Sequence, residues 1–212
     1  MQRLLHDKTL QKRYIKGFSI ALAYVAFFFF VESLDLNYSY LHHPIDDLIP
    51  FNEFAILPYS SWFFYMAFTL IYFAHHEGDR FDRVVYLMFG GMAFCLIINM
   101  IWPSAVDLRP KVFPRENPIT DFVRLLHKVD TPTNVCPSIH VYATWICHLA
   151  LIRWSRLKNK MLTHLLSWFF CLSICMSILF LKQHSIIDLF WGVVVALVIW
   201  VLVNWILRNK QE

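Results

Sequence analysis

Apolar residues occur along this chain in long blocks that short polar stretches separate. Six blocks approach or reach the roughly 20 residues that a helix needs to cross the apolar core of a bilayer. The fourth block is the weakest, because it is short and holds two histidines, His140 and His148. The pattern predicts an all-α polytopic membrane protein, with six transmembrane helices in one bundle and a single domain over residues 1–212. The predicted helices cover residues 17–33, 54–74, 84–102, 138–152, 162–181 and 186–207.

The longest stretch without a continuous apolar block runs over residues 103–137, between the third and fourth predicted helices. It holds six of the nine prolines, and it carries a short helical pattern at Phe122, Leu125 and Leu126. A long loop in a compact domain is usually either functional or disordered. We expect this loop to be a partly helical, extracytoplasmic part of an active site.

Basic residues are distributed unevenly between the two sides of the predicted bundle. Of the 19 Lys and Arg residues, 13 flank the helices on the side of the two termini. Positively charged flanking segments tend to stay in the cytoplasm. We therefore expect an integral protein of the cell membrane with cytoplasmic termini and an outward-facing loop 103–137. Tryptophans near segment ends indicate aromatic belts at the membrane interfaces: Trp62, Trp102, Trp154, Trp168 and Trp205.

Composition excludes several other classes of protein. Apolar residues make up 58% of the chain and charged residues 16%, against about 45–50% and about 25% in an average soluble domain. So much apolar content excludes a disordered chain. The five cysteines have no zinc-type spacing, and their odd number argues against a disulfide framework. Nucleic acid is not an expected partner, because the basic residues flank apolar segments and form no stripe with interleaved aromatics.

Two groups of residues on the outer side could hold a phosphate. Arg109-Pro110 follows the third helix, and a guanidinium can pair with two phosphate oxygens. Cys136-Pro137-Ser138-Ile139-His140 opens the fourth helix. The start of a helix directs free N–H groups and the positive end of its dipole at one spot, which favours a phosphate. Taken alone, the first group could be a solvated loop charge and the second a plain helix cap.

A third group, at residues 182–188, could supply a nucleophile. His184 and Asp188 are four residues apart and share one helix face. A carboxylate beside an imidazole fixes its tautomer and leaves the other ring nitrogen as a nucleophile or base; a buried ion pair is the alternative. With His140 and Arg109, these residues have the parts for phosphoryl transfer. Two His and one Asp could instead bind a metal, but Arg109 and Lys182 would repel a divalent cation.

The order of these motifs resembles the type 2 phosphatidic acid phosphatase superfamily. The matching residues are Arg109-Pro110, Pro137-Ser138-Ile139-His140, and Ser177 followed by His184 and Asp188. Three positions depart from the family pattern, which has Lys at Trp102, Gly at Ile139 and Arg at Ile178.

With the bulky Ile139 at its third position, the motif Pro-Ser-x-His resembles the branch of the family that contains inositol phosphorylceramide synthases, related lipid phosphotransferases and bacterial lipid phosphatases. The stretch Asp46–Phe51, followed by Tyr59 and Trp62, is similar to that branch too.

The resemblance implies a role for each matching residue. His184 attacks phosphorus to form a phosphohistidine, and Asp188 holds and polarises His184. His140 protonates the leaving oxygen and then activates the acceptor. The phosphate is held by Arg109, Ser138 and the backbone N–H groups near Ile139, with Lys182 as a candidate substitute for a missing cation. No metal or other cofactor is implied.

The sequence thus predicts an integral membrane lipid phosphatase that hydrolyses a lipid phosphate or diphosphate monoester at the extracytoplasmic face. Its expected partners are the lipid phosphate substrate and the phospholipid bilayer. Two alternatives stay open at this point. A lipid phosphotransferase would pass the phospho-headgroup to an alcohol acceptor instead of water, and a non-catalytic scaffold or transporter would keep the fold without turnover.

Overall fold

The computed structural model describes residues 7–209, so Arg3 and Lys210, which belong to the basic excess of the termini, lie outside the described residues. Most of the chain is helical, and a two-stranded sheet links two of the loops. In chain order the elements are α1 (Lys8–Glu32), β1 (Ser39–Tyr40), α2 (Pro44–Leu48), a 3₁₀ turn (Glu53–Ala55), α3 (Ile56–His76), α4 (Gly78–Val85), a π-helical turn (Tyr86–Gly90), α5 (Gly91–Ile101), β2 (Ser104–Ala105), α6 (Pro118–Val129), α7 (Ile139–Arg153), α8 (Met161–Phe180) and α9 (Ile186–Asn209).

Five helical spans within the described residues are long and apolar enough to cross a membrane. They correspond to five of the six predicted segments, so the all-α membrane fold is confirmed. The 3₁₀ turn continues directly into α3, and α4, the π-helical turn and α5 form one continuous span. The five spans are Lys8–Glu32, Glu53–His76, Gly78–Ile101, Met161–Phe180 and Ile186–Asn209.

Helix α7 corresponds to the fourth predicted segment and is the central helix of the bundle. It has 15 residues, about 22 Å at 1.5 Å per residue, and most of its side chains are buried. It contacts α3, α5, α8 and α9. Its start lies beside Asp188, whose carbonyl accepts from Ser138 N at 3.3 Å, and the chain just past its end lies beside Glu77, whose Oε1 accepts from Arg156 N at 2.6 Å. The chain therefore changes ends of the bundle along α7, although a sixth membrane crossing stays a prediction.

Close contacts fix α7 against its neighbours. The π-helical turn precedes Gly91, and the Tyr142 hydroxyl of α7 donates to the Leu87 carbonyl in that turn at 2.8 Å. A Cβ at Gly91 would lie 1.8 Å from the Tyr142 oxygen. On the other side of α7, a Cβ at Gly192 would lie 2.8 Å from the Cβ of Val141. Both glycines therefore allow helix axes to approach where a larger residue would separate them.

Short elements cover the bundle end at which α7 begins, which we call the site end. Strands β1 and β2 pair in parallel, with Ser39 opposite Ser104, and so join the segment that follows α1 to the segment that follows α5. Helix α6 confirms the predicted helical stretch of the loop, and Asn117 caps it by accepting from Ile119 N and Thr120 N at 3.0 Å. Arg115 reaches the buried carboxylate of Glu53 at 2.8 Å, which ties this loop to the start of α3.

Candidate active site

The turn between α8 and α9 presents His184. Its Nδ1–H donates to Asp188 Oδ2 at 2.9 Å, and Ser185 N donates to the same oxygen at 2.9 Å. Both side chains are buried. Because the carboxylate can only accept, it keeps the proton on Nδ1 and leaves the lone pair on Nε2. This places the unprotonated Nε2 opposite Ser138 Oγ, 3.4 Å away.

The first turn of α7 lies against this imidazole. Ser138 is the N-cap, and its Oγ accepts from Val141 N at 3.4 Å. Ser138 N also donates to the Asp188 carbonyl at 3.3 Å, so the cap is fixed to α9 as well as to its own helix. The positive end of the α7 dipole therefore lies beside His184 Nε2, where a phosphate would be favoured.

His140 is the second histidine that the structure brings to this place. Its ring centre lies 5.6 Å from that of His184, so both rings can reach one small group between them. The Tyr59 hydroxyl lies 2.9 Å from His140 Nε2, and the Trp62 ring packs at 4.6 Å. Among the described residues, none bonds to His140 Nδ1, which is buried.

A carboxylate that the sequence did not single out completes the arrangement. Asp130, just past the end of α6, accepts a short hydrogen bond from the Tyr59 hydroxyl. The same Oδ2 accepts from Gln183 Nε2 at 3.1 Å. Gln183 is buried and directly precedes His184. The two histidines are thus linked through Tyr59, Asp130 and Gln183 as well as through space.

Arg109 supports this network from the loop. Its terminal nitrogens donate to the carbonyls of His127, at 2.7 Å, and Asp130, and to Gln183 Oε1. Burial lowers the pKa of Arg109. Both terminal nitrogens therefore have protein partners, while no described residue bonds to the buried Nε. Binding of phosphate by Arg109 stays a prediction.

Lys182 and Asp46 hold the opposite side of the turn. Lys182 has a left-handed backbone, with φ 58°, and its ammonium donates to the Asp46 carbonyl. Burial lowers the pKa of Lys182. The buried Asp46 carboxylate accepts from Ser185 Oγ at 2.6 Å and from Ile186 N at 2.9 Å, so it caps α9 from a distant segment. Lys182 is thus near the site but bonded to α2, and its role toward phosphate stays a prediction.

The two positions at which the family pattern has a cation differ in their surroundings. Trp102 is 69% exposed at the end of α5, whereas Ile178 is fully buried in the packing of α8. Ser177 donates to the Ile174 carbonyl of its own helix at 2.7 Å.

The comparison with protein families agrees with this arrangement. Residues 83–212, well over half of the chain, match the family model described as the PAP2 superfamily. This chain belongs to the PAP2 superfamily. No curated protein and no solved structure matches it. Membership in PAP2, together with the apolar helices, makes it a phosphatase-type membrane protein.

Two cavities adjoin the histidines of this PAP2 protein. An apolar groove of about 390 Å³ lies between α1, α3 and α6, and Phe28, Trp62, Leu126 and His140 are among the residues that line it. A small polar recess also reaches His140 and His184, and the side chains that make it polar include Glu32, Thr131, Thr133 and Asn134. A larger apolar cavity, about 550 Å³, lies between α3 and α8 and touches neither histidine.

Sequence reasoning gave no role to several residues at this PAP2 site. Asp130 and Gln183 had no assignment. Trp62 was expected in an aromatic belt and instead is buried against His140, so that expectation is wrong. One signal was available: Tyr59 and Trp62 are three residues apart and therefore share a helix face. Asp130 gave a weaker signal. A negative charge at the C-terminus of a helix interacts unfavourably with the helix dipole, so an acidic residue there is unusual.

Proposed function

We propose that this protein is a lipid phosphatase that cleaves a lipid phosphate or diphosphate monoester through a phosphohistidine on His184. The observation that carries the proposal is the orientation of His184. Its Nδ1 is bonded to the buried Asp188, and its Nε2 faces the first turn of α7. A neutral imidazole held in this tautomer beside a phosphate-binding helix start has the properties of an activated nucleophile.

The reaction has two steps in this proposal. In the first, His184 Nε2 forms a bond to phosphorus, the bond from phosphorus to the lipid oxygen breaks, and His140 gives a proton to that oxygen. In the second, a water oxygen attacks phosphorus, the bond between phosphorus and nitrogen breaks, and His140 takes the proton of the water. The products are phosphate and a lipid alcohol, or a lipid monophosphate when the substrate is a diphosphate, and both histidines return to their starting states.

The apolar groove supports a lipid substrate. It runs from the α1 and α3 surfaces to His140, and its lining is almost entirely apolar. A chain seated there would bring its phosphate to the polar residues at the inner end. The exposed face of α6 fits the same arrangement, because Phe122, Leu125 and Val129 form an apolar stripe beside this groove, as in helices that lie in a membrane interface.

We place the site at the extracytoplasmic face. The basis is the excess of Lys and Arg on the loops at the opposite end of the bundle. Arg80 and Arg156, which interact with Glu77 there, belong to this excess.

Phosphate release by the purified protein tests the proposal. The substrates are phosphatidic acid, a polyprenyl diphosphate and a sphingoid phosphate, in the presence of a chelator. We expect release that persists with the chelator, and an acid-labile, alkali-stable phosphoprotein that His184→Ala cannot form. His76→Ala, an exposed change at the other end of α3, is the control. Equal release by wild type and His184→Ala contradicts the phosphohistidine.

A lipid phosphotransferase is the second candidate, and the polar recess favours it. The recess next to His184 is lined by hydroxyl, amide and carboxylate groups, of which Thr131 and Asn134 donate to Glu32. Such groups could hold an alcohol acceptor in place of water. Adding inositol or glycerol to the same assay should then yield a new phosphate monoester, inositol phosphate or glycerol phosphate, instead of free phosphate. Absence of both products would favour a non-catalytic scaffold.

A further inference from the structure

We propose that Asp130 and Tyr59 form a relay that positions His140 and directs its Nδ1 toward the reacting oxygen. The relay deepens the proposed function and rests on it. It would make Tyr59 and Asp130 positioning residues for the acid–base histidine, in the way that Asp188 positions the nucleophilic one.

The direction of each hydrogen bond follows from the chemistry of the three groups. A carboxylate only accepts, so the single proton of the Tyr59 hydroxyl goes to Asp130 Oδ2. The Tyr59 oxygen must then accept from His140, 2.9 Å away, which puts a proton on His140 Nε2. In the neutral ring the lone pair is therefore on Nδ1. This is the nitrogen that has no partner among residues 7–209.

Three elements bring these groups together. Tyr59 is buried in α3, Asp130 follows α6, and His140 is in the first turn of α7. A tyrosine is long enough to span the distance between the other two side chains. Trp62, one turn after Tyr59, packs on the His140 ring and restricts its rotation. Gln183 and Arg109 fix Asp130 in turn, through its carboxylate and its backbone carbonyl.

Charged and titratable groups approach His140 from all the elements around it. His184 faces it from the turn between α8 and α9, with Asp188 behind, and Asp130 faces it from the end of α6. From α1, Glu32 lines the recess that His140 also lines. Arg109 is separated from His140 by Gln183 and Asp130. The carboxylate nearest along the hydrogen-bonded chain is thus Asp130.

The relay assists both proposed steps. In the first, His140 is an imidazolium, with one proton held by Tyr59 and the other on Nδ1, and the negative charge of Asp130 stabilises it. The Nδ1 proton passes to the lipid oxygen as the bond from that oxygen to phosphorus breaks. In the second, neutral His140 accepts the proton of the attacking water on Nδ1. The hydrogen bond from Tyr59 to Asp130 is kept throughout.

The test uses the dependence of the first step on its leaving group. A lipid alkoxide needs a proton to leave, whereas nitrophenolate needs almost none. In single-turnover experiments with excess enzyme, Tyr59→Phe and Asp130→Asn should slow phosphohistidine formation from phosphatidic acid at least tenfold. With 4-nitrophenyl phosphate the same variants should be within about threefold of wild type. The double variant should be no slower than the slower single variant, because the two residues act as one unit.

Tyr65→Phe is the matched control. Tyr65 is also buried in α3 and also has a bonded hydroxyl, but its partner is Ser167, which bonds to His148 and not to His140 or His184. It should react like wild type with both substrates. Equal slowing of Tyr59→Phe with both substrates would reduce Tyr59 to a structural role and overturn the relay, as would no slowing at all. A wild-type protein that forms no phosphohistidine would contradict the proposed function itself, and with it the relay.

Discussion

At the residue scale, the proposed nucleophile depends on a single buried carboxylate. Asp188 Oδ2 holds both the His184 ring and Ser185 N. Asp188→Asn removes the negative charge beside Nδ1, so the positive charge that builds up on the His184 ring as Nε2 bonds to phosphorus is no longer stabilised. We expect phosphate release to fall by about 10³- to 10⁴-fold, with little change in the thermal unfolding temperature. The exposed Asp107→Asn is the control, and a loss of less than tenfold in Asp188→Asn would contradict this reading.

Asp46 and Asp47 form a natural pair for testing the cap of α9. The Asp46 carboxylate is buried and accepts from Ser185 Oγ, Ile186 N and His43 N. Asp47 is exposed and forms an ion pair with the exposed His42. Asp46→Ala should lower the free energy of unfolding by about 2–3 kcal/mol, since it leaves buried donors without acceptors. Asp47→Ala should change it by under about 0.5 kcal/mol. Chemical unfolding in detergent measures both, and equal effects would contradict a capping role.

The sequence predicted the contact at the site whose two residues are near each other in the chain. His184 and Asp188 are four residues apart on a helix, so their contact follows from helix geometry. Tyr59 and Asp130 reach His140 from other elements, and no local spacing encodes those contacts. The site was therefore predicted as a set of motifs, while the relay required the three-dimensional structure.

At the scale of elements, the length of an apolar block was a good predictor of the five long helical spans. It was a poorer predictor of α7, which is mostly buried. In four of the five long spans less than half of the apolar stretch is buried, whereas in Gly78–Ile101 56% of it is buried. Helix α7 is surrounded by protein and can hold Thr144, His140 and His148 without lipid exposure. Its block is accordingly shorter and more polar. The π-helical turn before Gly91 had no sequence signal beyond the glycine pair.

The glycine pair gives a test of helix packing. Gly91→Ala would put a Cβ 1.8 Å from the Tyr142 oxygen, while nothing lies within 4 Å of a Cβ at Gly90. We expect Gly91→Ala to lower the unfolding temperature by several degrees, from overpacking of about 1–3 kcal/mol. Gly90→Ala should be neutral or slightly stabilising, since alanine favours the helix. Indistinguishable unfolding of the two variants would show that α7 is not packed this closely.

Helix α6 should loosen from the site in mild acid. His127 donates from Nε2 to the Leu181 carbonyl, and burial together with Arg109 lowers its pKa to about 4. An unfolded chain binds this proton near pH 6.5. The free energy of unfolding should therefore fall between about pH 6.5 and pH 4, and His127 adds no further loss below that. We expect the free energy of unfolding to fall by about 1–2 kcal/mol over this range, allowing for partial exposure of the His127 ring.

The variant His127→Gln separates this effect from other titrations. Glutamine can still donate to the Leu181 carbonyl but does not titrate. The free energy of unfolding of the variant should therefore fall less than that of wild type over the same pH range. His76→Gln, exposed at the opposite end of α3, should keep the wild-type slope. The measurement is urea unfolding in detergent at half-unit steps from pH 4 to pH 7. A wild-type slope in His127→Gln would rule out His127 as the source.

At the scale of the whole molecule, the two ends of the bundle differ in chemistry. The site end carries α6, the paired strands, His140 and His184. The other end carries the loops around Glu77 and Arg156. Helix α7 joins the two ends, because Ser138 contacts Asp188 and Arg156 contacts Glu77. If the other long helices cross the bilayer, the chain must change sides along α7 for the turn between α8 and α9 to meet its start.

Cysteine labelling tests that topology and the side of the site together. Four native cysteines are buried, and burial raises the pKa of Cys136 to about 12, so few thiolates react in the background. Lys128→Cys and Lys158→Cys place exposed thiols on either side of α7. A membrane-impermeant maleimide added to intact cells should label the first and should label the second only after permeabilisation. Labelling of both in intact cells would contradict a crossing by α7, and labelling of Lys158→Cys alone would place the histidines at the cytoplasmic face.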